Sequence, residues 1–90
     1  MVPVERVFKY PFAVNDDVEI DMPSGAKILL VECQDGDPCI WAQVDPTNAN
    51  QRRHFRVYGT GHPIDWTQSP KHVASFQQPP YVWHLYEVQP

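Results

Sequence analysis

Ten prolines are scattered through the 90 residues, and they constrain the fold more than any other feature of the chain. Each one fixes φ near −65° and removes a backbone donor, so few proline-free windows, chiefly residues 24–37 and 47–62, are long enough for an ordinary helix. Strands and turns remain. With 42% hydrophobic and 12% aromatic residues the chain has enough apolar surface to close a core, so disorder on compositional grounds is set aside. Its length predicts a single domain over residues 1–90 with a small core.

Alternation of period two supplies the strands. In "VFKYPF" Phe8, Tyr10 and Phe12 share a face; in "DVEIDM" Val18, Ile20 and Met22 face one way and Asp17, Glu19 and Asp21 the other. "AKILLVECQ" is apolar on both faces through Ile28, Leu29, Leu30 and Val31, which predicts a central strand covered on two sides and the best core candidate. The Gly36 turn leads from it into "PCIWAQVD" as a hairpin. "DPTNANQ" reads as a turn or single helical turn capped by Asp45, "RRHFRVY" as a further strand, and "HVASFQ" and "YVWHLYEV" as a closing pair around Pro79 and Pro80. The expectation is an all-β fold: a small antiparallel sandwich or partly closed barrel of six or seven short strands, with at most single-turn helices.

Cys33 and Cys39 flank the hairpin turn and could face each other across it, although a reducing compartment favours free thiols acting as small apolar core residues. The net charge of −4, with seven dispersed basic residues, argues against an extended nucleic-acid surface but leaves room for a small anion. "MVPVERVFKYPF" lacks a basic segment followed by an apolar stretch, and no apolar run spans a bilayer, so a soluble intracellular protein is expected.

The stretch with most chemical content is "RVYGTGHPID", residues 56–65. Alternation puts Arg52, His54, Arg56 and Tyr58 on one strand face and Arg53, Phe55 and Val57 on the other. The first set ends at Gly59, Thr60 and Gly61, where both glycines permit positive φ and close approach of a partner to main-chain amides. His62 precedes Pro63, which predicts an extended conformation with its ring aimed away from the turn. Guanidinium groups, amides and Tyr58, with Trp41 as a second stacking surface, would suit a phosphorylated or nucleotide-like ligand. The competing reading pairs the arginines with Asp17, Glu19 or Asp21 on a solvated face and leaves the glycines as a turn.

The phosphate-loop and dinucleotide signatures are absent, and no cofactor is expected. His54, His62, His72 and His84 are dispersed without metal-ligand spacing, leaving His62 and Asp65 as the one local pair for a metal, or for a general base and its orienter. Aromatic residues near the prolines, Trp66, Tyr81, Trp83 and Tyr86, would mark an interface wherever they are exposed.

Four segments, "MPSGAKILLVECQDG", "PCIWAQVDP", "RRHFRVYGTGHPI" and "VWHLYE", resemble an uncharacterised family of small phage and prophage proteins. The pattern falls on Met22, Pro23, Gly25, Ala26, Pro38, Cys39, Trp41, Asp45, Pro46, Arg56, Tyr58, Gly59, Thr60, Gly61, His62 and Pro63. The resemblance implies a viral origin and a host cytoplasmic location, without an activity. The reading that follows is a non-enzymatic phage accessory protein, self-associating through edge strands, that binds a host factor such as a defence component or its nucleotide-like signal through the Arg56 to His62 region, with Arg52 and Trp41. The alternatives are a phosphoester- or nucleotide-cleaving enzyme using His62, and a structural virion module.

Overall fold

The computed structural model describes residues 4–90; the first three residues of the amino-terminal segment read above lie outside it. Seven strands follow one another: β1 (Arg6–Pro11), β2 (Asp17–Pro23), β3 (Lys27–Gln34), β4 (Asp37–Val44), β5 (Asn50–Gly59), β6 (Lys71–Gln78) and β7 (Tyr81–Glu87). A single 3-10 turn at Trp66–Gln68 is the one helical element among the described residues. The strands form two antiparallel sheets, ordered β1-β4-β3 and β2-β5-β7-β6. Although β3 and β6 run close together along one side, no hydrogen-bonded ladder joins them, so the sheets are not closed into a barrel.

The inner faces meet in one apolar cluster. Val31, Ile40, Ala42 and Val44 come from the three-stranded sheet, and Val18, Met22, Phe55, Val57, Phe76 and Leu85 from the four-stranded one. With no helix to cover either sheet, each inner face is the other's only apolar solvent, and the alternation in β2, β4 and β5 aligns with that division. Phe12 packs edge-on against Phe76, ring centroids 5.9 Å apart, at one end of the core. Towards the other end Arg53 reaches inward from β5. Its Nε and Nη2 donate to the two carboxylate oxygens of Glu87 at 2.7 Å each, and its Nη1 donates to the Ala26 carbonyl at 2.6 Å.

Two expectations are corrected here. The strand "KILLVECQ" is not a central strand but an edge, flanked by β4 alone. A bulge between Ile28 and Leu30 breaks its alternation, so Leu29 and Leu30 both stand outside, each 47% exposed, and only Val31 is fully inside. The core's deepest residues lie elsewhere, in β4, β5, β7 and at Met22. The cysteines do not face each other either: Cys33 pairs with Pro38, and Cys39 pairs with Glu32, which sets their side chains on opposite faces. Both thiols are free, with Cys39 buried and Cys33 half-buried; burial pushes the Cys33 thiol up from its ordinary range.

The Arg53 fork is shielded from water far more than the Arg52 pairs, whose side chains are about half exposed or more. Truncation of Arg53 would leave Glu87 and the Ala26 carbonyl short of partners in a partly dry site. Arg53→Ala is expected to lower unfolding free energy by about 2 kcal/mol in urea titration. Arg52→Ala should leave the midpoint essentially unchanged, and equal effects from the two would contradict this assignment.

Candidate functional site

β5 ends at Gly59, and the chain reverses there in a tight turn. The His62 N–H donates to the Gly59 carbonyl at 3.1 Å, and Gly61 occupies the third position with φ +89°, a value that side chains disfavour. Gly59 does not use positive φ; its requirement is space. A Cβ there would lie 3.0 Å from His62 Cε1, 3.1 Å from His62 Nδ1 and 3.4 Å from Trp83 Cζ3. The His62 ring therefore folds back over Gly59, contrary to the outward direction expected from the His-Pro step.

Opposite this loop stands the β6–β7 turn. Tyr81 and Trp83 lie on the same side of β7 with ring centroids 5.2 Å apart, and Trp83 Nε1 donates to Gln78 Oε1 at 3.0 Å, which fixes the indole. Between the two turns is an open cleft of about 390 Å³ lined by Gly59, Thr60, His62, Pro80, Tyr81, Val82 and Trp83. Tyr81 is 57% exposed and Val82 is exposed beside it.

A string of hydrogen bonds leads from the cleft across the outer face of the four-stranded sheet. Thr60 Oγ1 lies 2.9 Å from His84 Nε2, His84 Nδ1 lies 2.7 Å from Ser75 Oγ, and Ser75 Oγ lies 3.1 Å from His72 Nε2. Thr60 Oγ1 also donates to the Val82 carbonyl at 3.3 Å. With neutral rings, that last bond sets the direction of the rest. Since Thr60 spends its proton on a carbonyl, it accepts from His84 Nε2–H; His84 Nδ1 then accepts from the Ser75 hydroxyl, which in turn accepts from His72 Nε2–H. Every group in the string has a partner. Tyr86 packs edge-on against both His72 and Tyr58 on the same face.

The residues singled out from sequence separate into two groups. Gly59, Thr60 and His62 line the cleft, and Gly61 forms the tip of its loop. Arg52, His54, Arg56 and Tyr58 do share the outer face of β5, but β2 runs beside them with an acidic stripe in register: Asp17 opposite Arg56, Glu19 opposite His54, Asp21 opposite Arg52. Arg52 Nε donates to Asp21 at 3.0 Å and Nη1 approaches Glu19 at 3.7 Å; Arg56 Nε lies 3.2 Å from Asp17 and donates to the Asp16 carbonyl at 3.1 Å. The bond from Arg52 holds the Asp21 carboxyl below its usual range. Tyr58 is buried, its hydroxyl accepting the Asp65 N–H at 3.2 Å, so its ring offers no stacking surface. Trp41 sits on the outer face of the other sheet, in register with Lys9 and Leu30, away from the loop.

Nor does Asp65 orient His62. Its carboxylate caps the 3-10 turn, accepting from Thr67 N–H at 2.9 Å and Thr67 Oγ1 at 2.6 Å, and these bonds hold its pKa below the ordinary value. Among the described residues, no three His, Cys, Asp or Glu side chains converge, and no helix is long and apolar enough to cross a membrane. The residues that the sequence did not single out as one site are Tyr81, Trp83, His84, Ser75 and His72. They join it only through strand register, Gly59 opposite Trp83, Tyr58 opposite His84 and Ser75 opposite His84. The exposure expected to mark an interface is met by Tyr81 and by Trp66, which is 69% exposed.

A family model described as a domain of unknown function (DUF7352) matches residues 3–90. No curated protein and no solved structure matches the chain.

The close approach at Gly59 has a direct test. Gly59→Ala requires no unfavourable φ, so the strand should persist, but the added methyl must displace the His62 imidazole. The His62 ring resonances are expected to shift strongly while the unfolding midpoint changes little. Unmoved His62 resonances would show that the ring does not lie over Gly59.

Proposed function

Starting from its membership of the DUF7352 family, we propose that this chain is a binding module that holds a planar ring of its partner in the cleft between Gly59–His62 and Pro80–Trp83. The observation that carries this reading is an exposed aromatic wall, Tyr81 with Trp83 behind it, facing a loop whose backbone is stripped of side chains at Gly59 and Gly61. A volume of about 390 Å³ is at the lower end for small-molecule sites and suits a nucleobase with part of its sugar. Stacking on Tyr81 would supply affinity, and the Thr60 hydroxyl and His62 ring would supply polar contacts at the rim.

The arginines take a secondary part in this reading. Arg52 and Arg56 are engaged by β2, so a phosphate would have to replace carboxylates already in contact and would gain only the difference. Recognition of the ring therefore outweighs recognition of charge. The resemblance to small phage proteins supports a host-directed role, in which the ligand is a nucleotide-like defence signal or a ring presented by a host protein.

Calorimetry with nucleobases, nucleosides and linear and cyclic nucleotides tests the nucleotide form. Heat from at least one compound, weakened roughly tenfold or more in Tyr81→Ala and little changed in Arg52→Ala, is the expected result. Silence across the panel rejects a nucleotide. A captured protein partner whose binding is indifferent to Tyr81→Ala rejects the cleft altogether.

A hydrolytic reading has one observation in its favour, and it concerns Ser75 rather than His62. The 2.7 Å contact with His84 Nδ1 is the geometry of a hydroxyl beside a general base. If that reading holds, a fluorophosphonate probe adds its phosphonyl group to Ser75 with loss of fluoride, and His84→Gln abolishes the labelling. An unmodified intact mass rejects it.

A further inference from the structure

The outer face of the three-stranded sheet carries an apolar surface that the monomer leaves uncovered. Three rows cross it in register: Val7, Gln43 and Lys27; Lys9, Trp41 and Leu30; Pro11, Cys39 and Glu32. The bulge adds Leu29 to the middle row's end. Val7 is 57% exposed and both leucines 47%, while Trp41 lies half-buried between them. Of the eight large hydrophobic residues found exposed in the described chain, Val7, Leu29 and Leu30 stand on this one face. Apolar side chains gathered on one sheet face, rather than scattered singly, are what an interface requires.

We infer that this face is the contact between two copies of the chain, packed sheet on sheet about a two-fold axis running across the strands along the Lys9–Trp41–Leu30 row. The argument for a second copy over a foreign partner is charge. An isologous interface needs both signs on the same patch, each where the other falls after rotation. The face has them at mirrored places: Lys27 on β3 in the first row and Glu32 on β3 in the third. Rotation about the middle row carries Lys27 onto Glu32 of the partner subunit, and does so twice. Trp41 and Leu30 meet their own counterparts at the centre. Lys9, the remaining cation in that row, is turned along its own sheet, with its ammonium 2.5 Å from Gln34 Oε1 and 5.9 Å from the Trp41 ring centroid. Glu5 is likewise engaged, accepting from Gln43 Nε2.

The packing is the ordinary aligned stacking of two sheets, and it covers Leu29, Leu30 and Trp41 without altering either monomer. Three strands make a narrow surface, smaller than that of tight dimers, so association in the micromolar range is expected. The cleft at Gly59 and Tyr81 belongs to the other sheet and stays open.

Sedimentation velocity over a concentration series tests the inference. The wild-type chain should shift from its 10.4 kDa monomer to twice that mass as concentration rises. Leu30→Glu, a change at an exposed position, should stay monomeric with an unchanged circular dichroism spectrum. Lys27→Glu and Glu32→Lys should each weaken association roughly tenfold or more by placing like charges opposite one another, and mixing the two variants should restore it, since the mixed pair regains both opposite-charge contacts. A wild-type chain that stays monomeric at all concentrations overturns the inference. So does a dimer that Leu30→Glu leaves intact, or a pair of charge variants that mixing does not rescue.

Discussion

Strand β5 has to satisfy two neighbours and two environments at once, and the rest of the molecule is arranged around that constraint. Its even-numbered side chains point outward and its odd-numbered ones inward, so a single register with β2 decides both faces together. In the observed register Val18 lies opposite Phe55 on the inner face, while three acids lie opposite two arginines and a histidine on the outer. A slip by one residue would bury Asp17, Glu19 and Asp21 and expose Val18 and Met22. Each exposed ion pair contributes little by itself, but the alternative registers place charges in the core, and that penalty is large. The acidic stripe thus acts mainly by excluding wrong pairings.

The same register accounts for the fate of the arginines. Cations on a strand suggest an anion site when the strand is read alone; read beside β2, they are the counter-charges of a ladder. What remains free near the loop is aromatic and weakly polar. The chemistry at the end of β5 accordingly moves from guanidinium groups to the Tyr81 and Trp83 rings brought beside Gly59 by the β5–β7 pairing.

Much of the architecture was legible because it depends on local rules. Proline spacing disfavoured helices, alternation together with the continuous apolar run of β3 located the strands, and the Gly36 turn announced the β3–β4 hairpin. The loop was legible too, since Gly-Thr-Gly-His-Pro narrows the backbone choices, although the direction of the His62 ring was not: it is set by contact with Gly59 and Trp83, and Trp83 is more than twenty residues away. The string from Thr60 through His84 and Ser75 to His72 was illegible for the same reason. Histidines twelve residues apart share a hydroxyl only because β6 and β7 fold against each other with a shift between His72 and Ala74. Trp41 was misplaced because alternation assigns a residue to a face without saying of which sheet.

The strand "KILLVECQ" shows how a local reading and a tertiary structure can both be informative while disagreeing. Four consecutive apolar residues call for cover on two faces, yet β3 is an edge strand with one neighbour. The bulge at Leu29 concentrates the conflict instead of resolving it, because it turns two leucines to the same outside surface where a regular strand would have turned one. Nearly half of each leucine's surface still faces water in the monomer, so the monomer explains the leucines only in part. The dimer inferred above would account for the rest: a second layer over that sheet would give β3 the two-sided burial its sequence calls for, with Lys27 and Glu32 placed where a two-fold rotation makes them partners. In that dimer the strand would have the composition of a central element because it would lie between two apolar layers.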